Sequence, residues 1–86
     1  MYATIYYSKS TGRIATYAIT EVPQDMSFFG SSRVDFEQIY DFIVLEYTDQ
    51  VELLIRNRDL FEVDLDTKKI VQKPINFETI INKEDA

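Results

Sequence analysis

Cysteine, histidine and tryptophan are absent from the 86 residues, and glycine occurs only twice. Without cysteine there is no disulfide, no thiolate zinc site and no thiol nucleophile; without histidine the commonest general base and metal ligand is missing. No Gly-rich loop is present to cradle a phosphate. No run approaches the ~18 apolar residues of a membrane span, and the opening MYATIYYSKS lacks the basic start and apolar core of a signal peptide. The expectation is a soluble protein that is not an enzyme, with no catalytic residues, no cofactor and no metal, and not secreted through a signal peptide.

Positive charge is also scarce, with 9 bases against 15 acids and a net charge of -6. That balance argues against a general electrostatic grip on nucleic acid. Residues 1–20 nevertheless contain Lys9 and Arg13 and no acid, so this segment is +2 and the remaining 66 residues carry -8. Such a dipolar chain suits head-to-tail contact, basic hairpin against acidic body; two bases in twenty residues is equally what sampling gives. The length fits one small β-rich domain over residues 1–74, followed by a tail over 75–86.

The longest apolar stretch is FIVLEYTDQVELLIR, residues 42–56. At a period of two, Ile43, Leu45 and Tyr47 share one face of a strand, and Val51, Leu53 and Ile55 share one face of the next. A three-residue loop, Thr48-Asp49-Gln50, would set Tyr47 opposite Val51, Leu45 opposite Leu53 and Ile43 opposite Ile55. The same register sets Glu46 opposite Glu52, a pair read as solvated glutamates in preference to an acid/base or cation site.

Around this centre the chain reads as hairpins. Residues 2–8 and 13–20 are rich in Ile, Thr and Tyr and flank Lys9-Ser10-Thr11-Gly12, a four-residue turn in which Gly12 takes a positive φ. The expected pairs are Tyr7 with Ile14, Ile5 with Thr16, Tyr6 with Ala15, Thr4 with Tyr17 and Tyr2 with Ile19. Four of the six tyrosines lie here; aromatics so placed pack a sheet, form a protein interface or stack a ligand.

Residues 21–33, EVPQDMSFFGSSR, form a loop by elimination, whose apolar centre Met26, Phe28 and Phe29 either plugs the sheet or projects as a knob into a partner. Asp35 with Gln38 three positions later opens a short helix carrying Phe36, Ile39 and Tyr40; one continuous helix over 35–47 competes with a short helix feeding a strand. Phe61, Val63 and Leu65 alternate with Glu62, Asp64 and Asp66, a half-buried strand with a solvated acidic face in preference to a calcium site. Asp66-Thr67-Lys68-Lys69 turns into a short strand that Pro74 stops. In the tail, Phe77, Ile80 and Ile81 sit at helical spacing behind Asn76, an amphipathic helix too short to stand without a surface beneath it.

The fold class expected is therefore α+β, mainly β: an antiparallel sheet of five or six strands built from hairpins, with one short helix after residue 34 and a short C-terminal amphipathic helix. Its expected core is Ile5, Ile14, Phe36, Ile39, Ile43, Leu45, Leu53, Ile55, Phe61, Val63 and Leu65.

FEVDLDTKKIVQKP, residues 61–74, resembles the strand-turn-strand finish of many small phage and prophage proteins, and MYATIYYSKSTGRI resembles their first hairpin. The resemblance implies a virion accessory protein of the capsid or tail, or a small acidic intracellular modulator of a host protein, in the virion or the host cytoplasm. It carries no functional residues with it. The residues themselves point to contact with other protein subunits, own or virion, in an oligomer or larger assembly, without membrane or nucleic acid. The candidate interface is Tyr2, Tyr6, Lys9, Arg13, Tyr17, Met26, Phe28, Phe29, Phe77, Ile80 and Ile81. The modulator reading would instead use an acidic patch of Glu46, Asp49, Glu52, Glu62, Asp64 and Asp66, formed if two hairpins lie side by side.

Overall fold

A computed structural model describes residues 1–73. Among these residues it is an α+β fold of five strands with two helical regions, which bears out the mixed class and the strand count, but the one mainly-β sheet expected is two antiparallel sheets, of three and two strands. The strands are β1 (Tyr2–Ser8), β2 (Ile14–Thr20), β3 (Tyr40–Glu46), β4 (Phe61–Asp64) and β5 (Lys69–Gln72). The first sheet has the order β2-β1-β3 and the second is the hairpin β4-β5. A single antiparallel bridge, Arg13 with Glu62, joins the two along the edge of β2.

Strand β1 is central, and both of its faces are covered. Ala3, Ile5 and Tyr7 pack on one side with Ile14, Ile55 and Val63; Tyr6 packs on the other with Ala18 and Met26. All five residues from Ala3 to Tyr7 are buried, the polar Thr4 included. Thr4 is satisfied because its hydroxyl accepts from the Gln24 amide at 3.2 Å.

The pairing of β1 with β2 begins as expected, Tyr7 opposite Ile14, and then departs from it. The partner of Tyr6 is Thr16 and not Ala15, so Ala15 is bulged out, and Ile5, Thr4, Ala3 and Tyr2 meet Tyr17, Ala18, Ile19 and Thr20. The bulge has a packing reason. In an unbroken strand Ile14 would share a face with Ala18; the extra residue moves Ile14 to the face of Tyr17 and Ile19, where it joins the Ile5-Tyr7-Val63 core.

The expected second strand of the central hairpin is a helix. Residues Asp49–Arg56 form α2, with Thr48 as N-cap accepting from the Val51 amide at 3.2 Å. Asp49 and Glu52 lie in its first turn and Arg56 in its last, favourable ends for the helix dipole, and Arg56 meets Glu52 at 2.8 Å. Val51, Leu54 and Ile55 face the sheet, whereas Leu53 is 59 % exposed. Leu53 is therefore not a core residue, because a period of 3.6 turns it to the side opposite Ile55.

The other helical region runs from Met26 to Ile39 in two segments. A 3-10 segment, Met26–Ser32, begins behind Asp25, whose carboxylate accepts from the Ser27 amide at 2.8 Å. Gly30, at φ 58, kinks it into α1 (Arg33–Ile39). The expected loop over 21–33 is thus largely helical, and α1 starts two residues ahead of the expected cap, with Asp35 in its first turn. The competing helix over 35–47 does not form, because β3 starts at Tyr40. Ile39, expected in the core, is 52 % exposed at the end of α1.

Candidate interaction surface

The turn between β1 and β2 is tied into the molecule at three points. Gly12, at φ +79, approaches β4 so closely that its carbonyl accepts from the Val63 amide at 2.8 Å. The Lys9 amide donates to the Ile39 carbonyl at 2.9 Å. The Lys9 ammonium donates to the Glu37 carbonyl in the last turn of α1, where a cation is favoured. Lys9 is thus engaged inside its own chain, while Arg13 is exposed and contributes its backbone to the bridge with Glu62.

Beside this turn lies a recess of about 490 Å³ lined by Ser8, Thr11, Arg13, Ala15, Ile39 and Tyr40 among others. Its size suits a small ligand, but its short polar groups are already occupied. The Ser8 hydroxyl accepts from the Ser10 and Thr11 amides, both at 3.3 Å, and the Thr11 hydroxyl accepts from the Arg13 amide at 3.2 Å. They shape the turn and do not converge on the recess. Among the described residues no three His, Cys, Asp or Glu side chains gather where they could hold a metal ion.

The tyrosines separate by environment. Tyr6 and Met26, candidates for a partner surface, are 0 % and 8 % exposed and are withdrawn from any surface of this chain. The Tyr6 ring packs edge-on to Phe29 at 4.7 Å and its hydroxyl donates to the Asp25 carbonyl at 2.9 Å. Burial, and then the Asp25 charge, push its phenol above the ordinary value. Tyr7 is equally buried, and its phenol is raised by burial first and then by Asp41 on the neighbouring strand. Tyr2 and Tyr17 are half-buried, and Tyr17 carries the Arg58 guanidinium 5.5 Å above its ring.

The plug reading of the apolar loop holds in large part, and Phe28 also stacks on Tyr6 at 5.8 Å. Met26 and Phe29 plug the face of Tyr6, and Phe29 continues to Phe36 at 4.7 Å. Phe28 stays 48 % exposed. Phe77, Ile80 and Ile81 lie outside the described residues.

Two features that the residue pattern did not single out are the sheet edges. Strand β3 pairs only with β1 among the described residues, and it is seven residues long without proline, lysine or a bulge, the usual devices that protect an edge. Strand β5 pairs only with β4 among the same residues. The signal for β3 was present, since 42–48 read as a strand, but its supposed partner 51–55 hid the fact that its outer side has no strand partner among the described residues. Compared with known proteins, the chain matches no family model, no curated protein and no solved structure.

Proposed function

We propose that this chain is a non-enzymatic assembly protein that acts by contact with other protein subunits, as a virion accessory component of the capsid or tail type. One observation supports it above the others: a small sheet ends on an apolar strand, Phe42-Ile43-Val44-Leu45, whose outer side has no partner among the described residues. An edge of this kind adds a strand from another chain, with backbone hydrogen bonds giving affinity and alternate side chains giving specificity. Exposed Phe28, Val34, Leu53 and Leu60 add apolar area elsewhere on the surface.

The modulator reading gains no such support. Its acidic patch needed two hairpins side by side, but Asp49 and Glu52 lie on a helix, Glu52 is paired with Arg56, and Asp64 caps its own turn by accepting from the Asp66 amide at 2.9 Å.

Affinity capture with the intact chain, from cells in which it is made, tests the proposal. The expected result is its own chain or a defined set of proteins. Capture of nucleic acid in place of protein, or turnover of a small molecule, contradicts it.

A further inference from the structure

We propose that copies of this chain join head to tail, β5 of one copy pairing antiparallel with β3 of the next, in the register that sets Ile70 opposite Val44. The inference rests on the assembly reading above and names its partner as a second copy.

The backbone decides which groups are available. At the two ends of the β1–β3 ladder the Lys9 amide donates to Ile39 and the Tyr47 amide to Met1, both at 2.9 Å. In an antiparallel pair this assigns the odd-numbered residues of β3 to β1 and turns Tyr40, Phe42, Val44 and Glu46 outward. The same logic applies to β5. Lys73 donates to Leu60 at 2.8 Å, so the odd residues of β5 bond to β4 and Ile70 and Gln72 face outward.

Three registers bring outward residues together, and charge chooses among them. With Ile70 opposite Val44, Asp41 falls opposite Lys73, Glu46 opposite Lys68, and Ile43 opposite Val71. Each acid of β3 meets a base, and the apolar centres coincide. Shifting by two residues either way leaves both Asp41 and Glu46 without a lysine opposite, and one of the two shifts sets Glu46 against Asp66. Two β3 edges facing each other would bring only acids to the contact, which disfavours a twofold pairing.

The ladder also ends where donors run out. The Tyr40 amide is taken by the Phe36 carbonyl, so no free donor follows Phe42 at that end. At the other end the Lys68 amide is taken by Asp64 at 2.7 Å. One outward donor inside the ladder is covered in the single chain: Asp41 Oδ1 accepts from the Phe42 amide at 2.8 Å. Lys73 of the incoming copy would draw that carboxylate away and free the amide for the Gln72 carbonyl. Asp41 thus guards the edge until the right strand arrives. Because the two surfaces differ, the contact repeats without closing on itself, giving a filament, or a ring if the rotation closes.

The test is sedimentation velocity on the intact chain and four variants. Wild type is expected to assemble with rising concentration. D41K and K73D, each alone, place like charges opposite one another and should weaken assembly at least about tenfold, the effect of roughly 1.4 kcal/mol. Mixing the two should restore it, because the lysine introduced on β3 of one variant then meets the aspartate introduced after β5 of the other, while the native pair survives at the alternate contacts. The double variant D41K/K73D should assemble alone. V44P removes an outward donor without touching the ladder to β1, so it should stay folded by circular dichroism and remain monomeric. A wild-type chain that is monomeric throughout, an assembly indifferent to these changes, or a mixture that fails to recover overturns the inference. A monomer that still captures another protein leaves the assembly reading standing, whereas a chain that binds neither itself nor any protein ends both.

Discussion

At Gly12 a Cβ would stand 2.0 Å from the Val63 carbonyl oxygen, on a backbone with φ +79. Both the contact and the conformation require glycine, and they require it because the turn of the first hairpin bonds to β4. Gly12→Ala should lower stability by at least about 2 kcal/mol, read by urea unfolding; a change below about 0.5 kcal/mol would show that the two sheets do not meet there. The buried phenols set the alkaline limit. Tyr6 and Tyr7 hold their protons more tightly when folded, so their contribution is complete below the unfolded value near 10 and is lost as pH rises from there through the folded values. Unfolding should become easier above about pH 10, with part of the tyrosinate absorbance appearing only as the chain unfolds. Tyr6→Phe should weaken that dependence. Asp25 acts in the opposite direction: its hydrogen bonds with Ser27, side chain first and then amide, hold its carboxyl below the ordinary range. Its contribution is present above the unfolded value and is lost as pH falls through the lowered folded value.

Helix α2 is the element on which the sequence is most ambiguous. Val51, Leu53, Leu54 and Ile55 satisfy a period of two through 51, 53 and 55 and a period of 3.6 through 51, 54 and 55. The signals that decide lie in the polar residues: Thr48 as cap, acids in the first turn and the Glu52–Arg56 pair. Alanine scanning separates the alternatives. Leu53→Ala should change stability by less than about 0.5 kcal/mol, and Ile55→Ala should cost about 2 to 5 kcal/mol; similar losses at both sites would restore the strand. Thr48→Ala should cost about 1 kcal/mol. In the aromatic layer, Phe29→Ser should destabilise more than Phe28→Ser, since Phe29 touches both Tyr6 and Phe36 while Phe28 is half exposed. The first hairpin was legible from its turn, as was β3 from its apolar run. The bulge at Ala15 was not, because it brings Ile14 into a core shared with Val63, far away in sequence. The cover of the Tyr6 face by residues 26–39 was legible only as a plug without a shape, since its kinked helix has no clean period.

For the molecule as a whole, charge and edges coincide in a way that composition alone concealed. The +2 of residues 1–20 suggested a basic hairpin as the steering surface, but Lys9 is engaged with the end of α1. Among the described residues the bases at the unpaired edge of β5 are Lys69 and Lys73, with Lys68 in the turn before it over the Tyr7 ring at 6.0 Å, and the acids along β3 are Asp41 and Glu46. Under the proposed pairing of β5 with β3 the chain would repeat itself, and Phe28 and Leu53 stay exposed outside that contact. Sedimentation velocity of the intact chain, over about a hundredfold range of concentration at low and high salt, tests this most directly. Complementary edges predict a mass that climbs past the dimer with concentration and falls back as salt screens the lysine–carboxylate pairs. A single monomeric species at every concentration and both salts would contradict it.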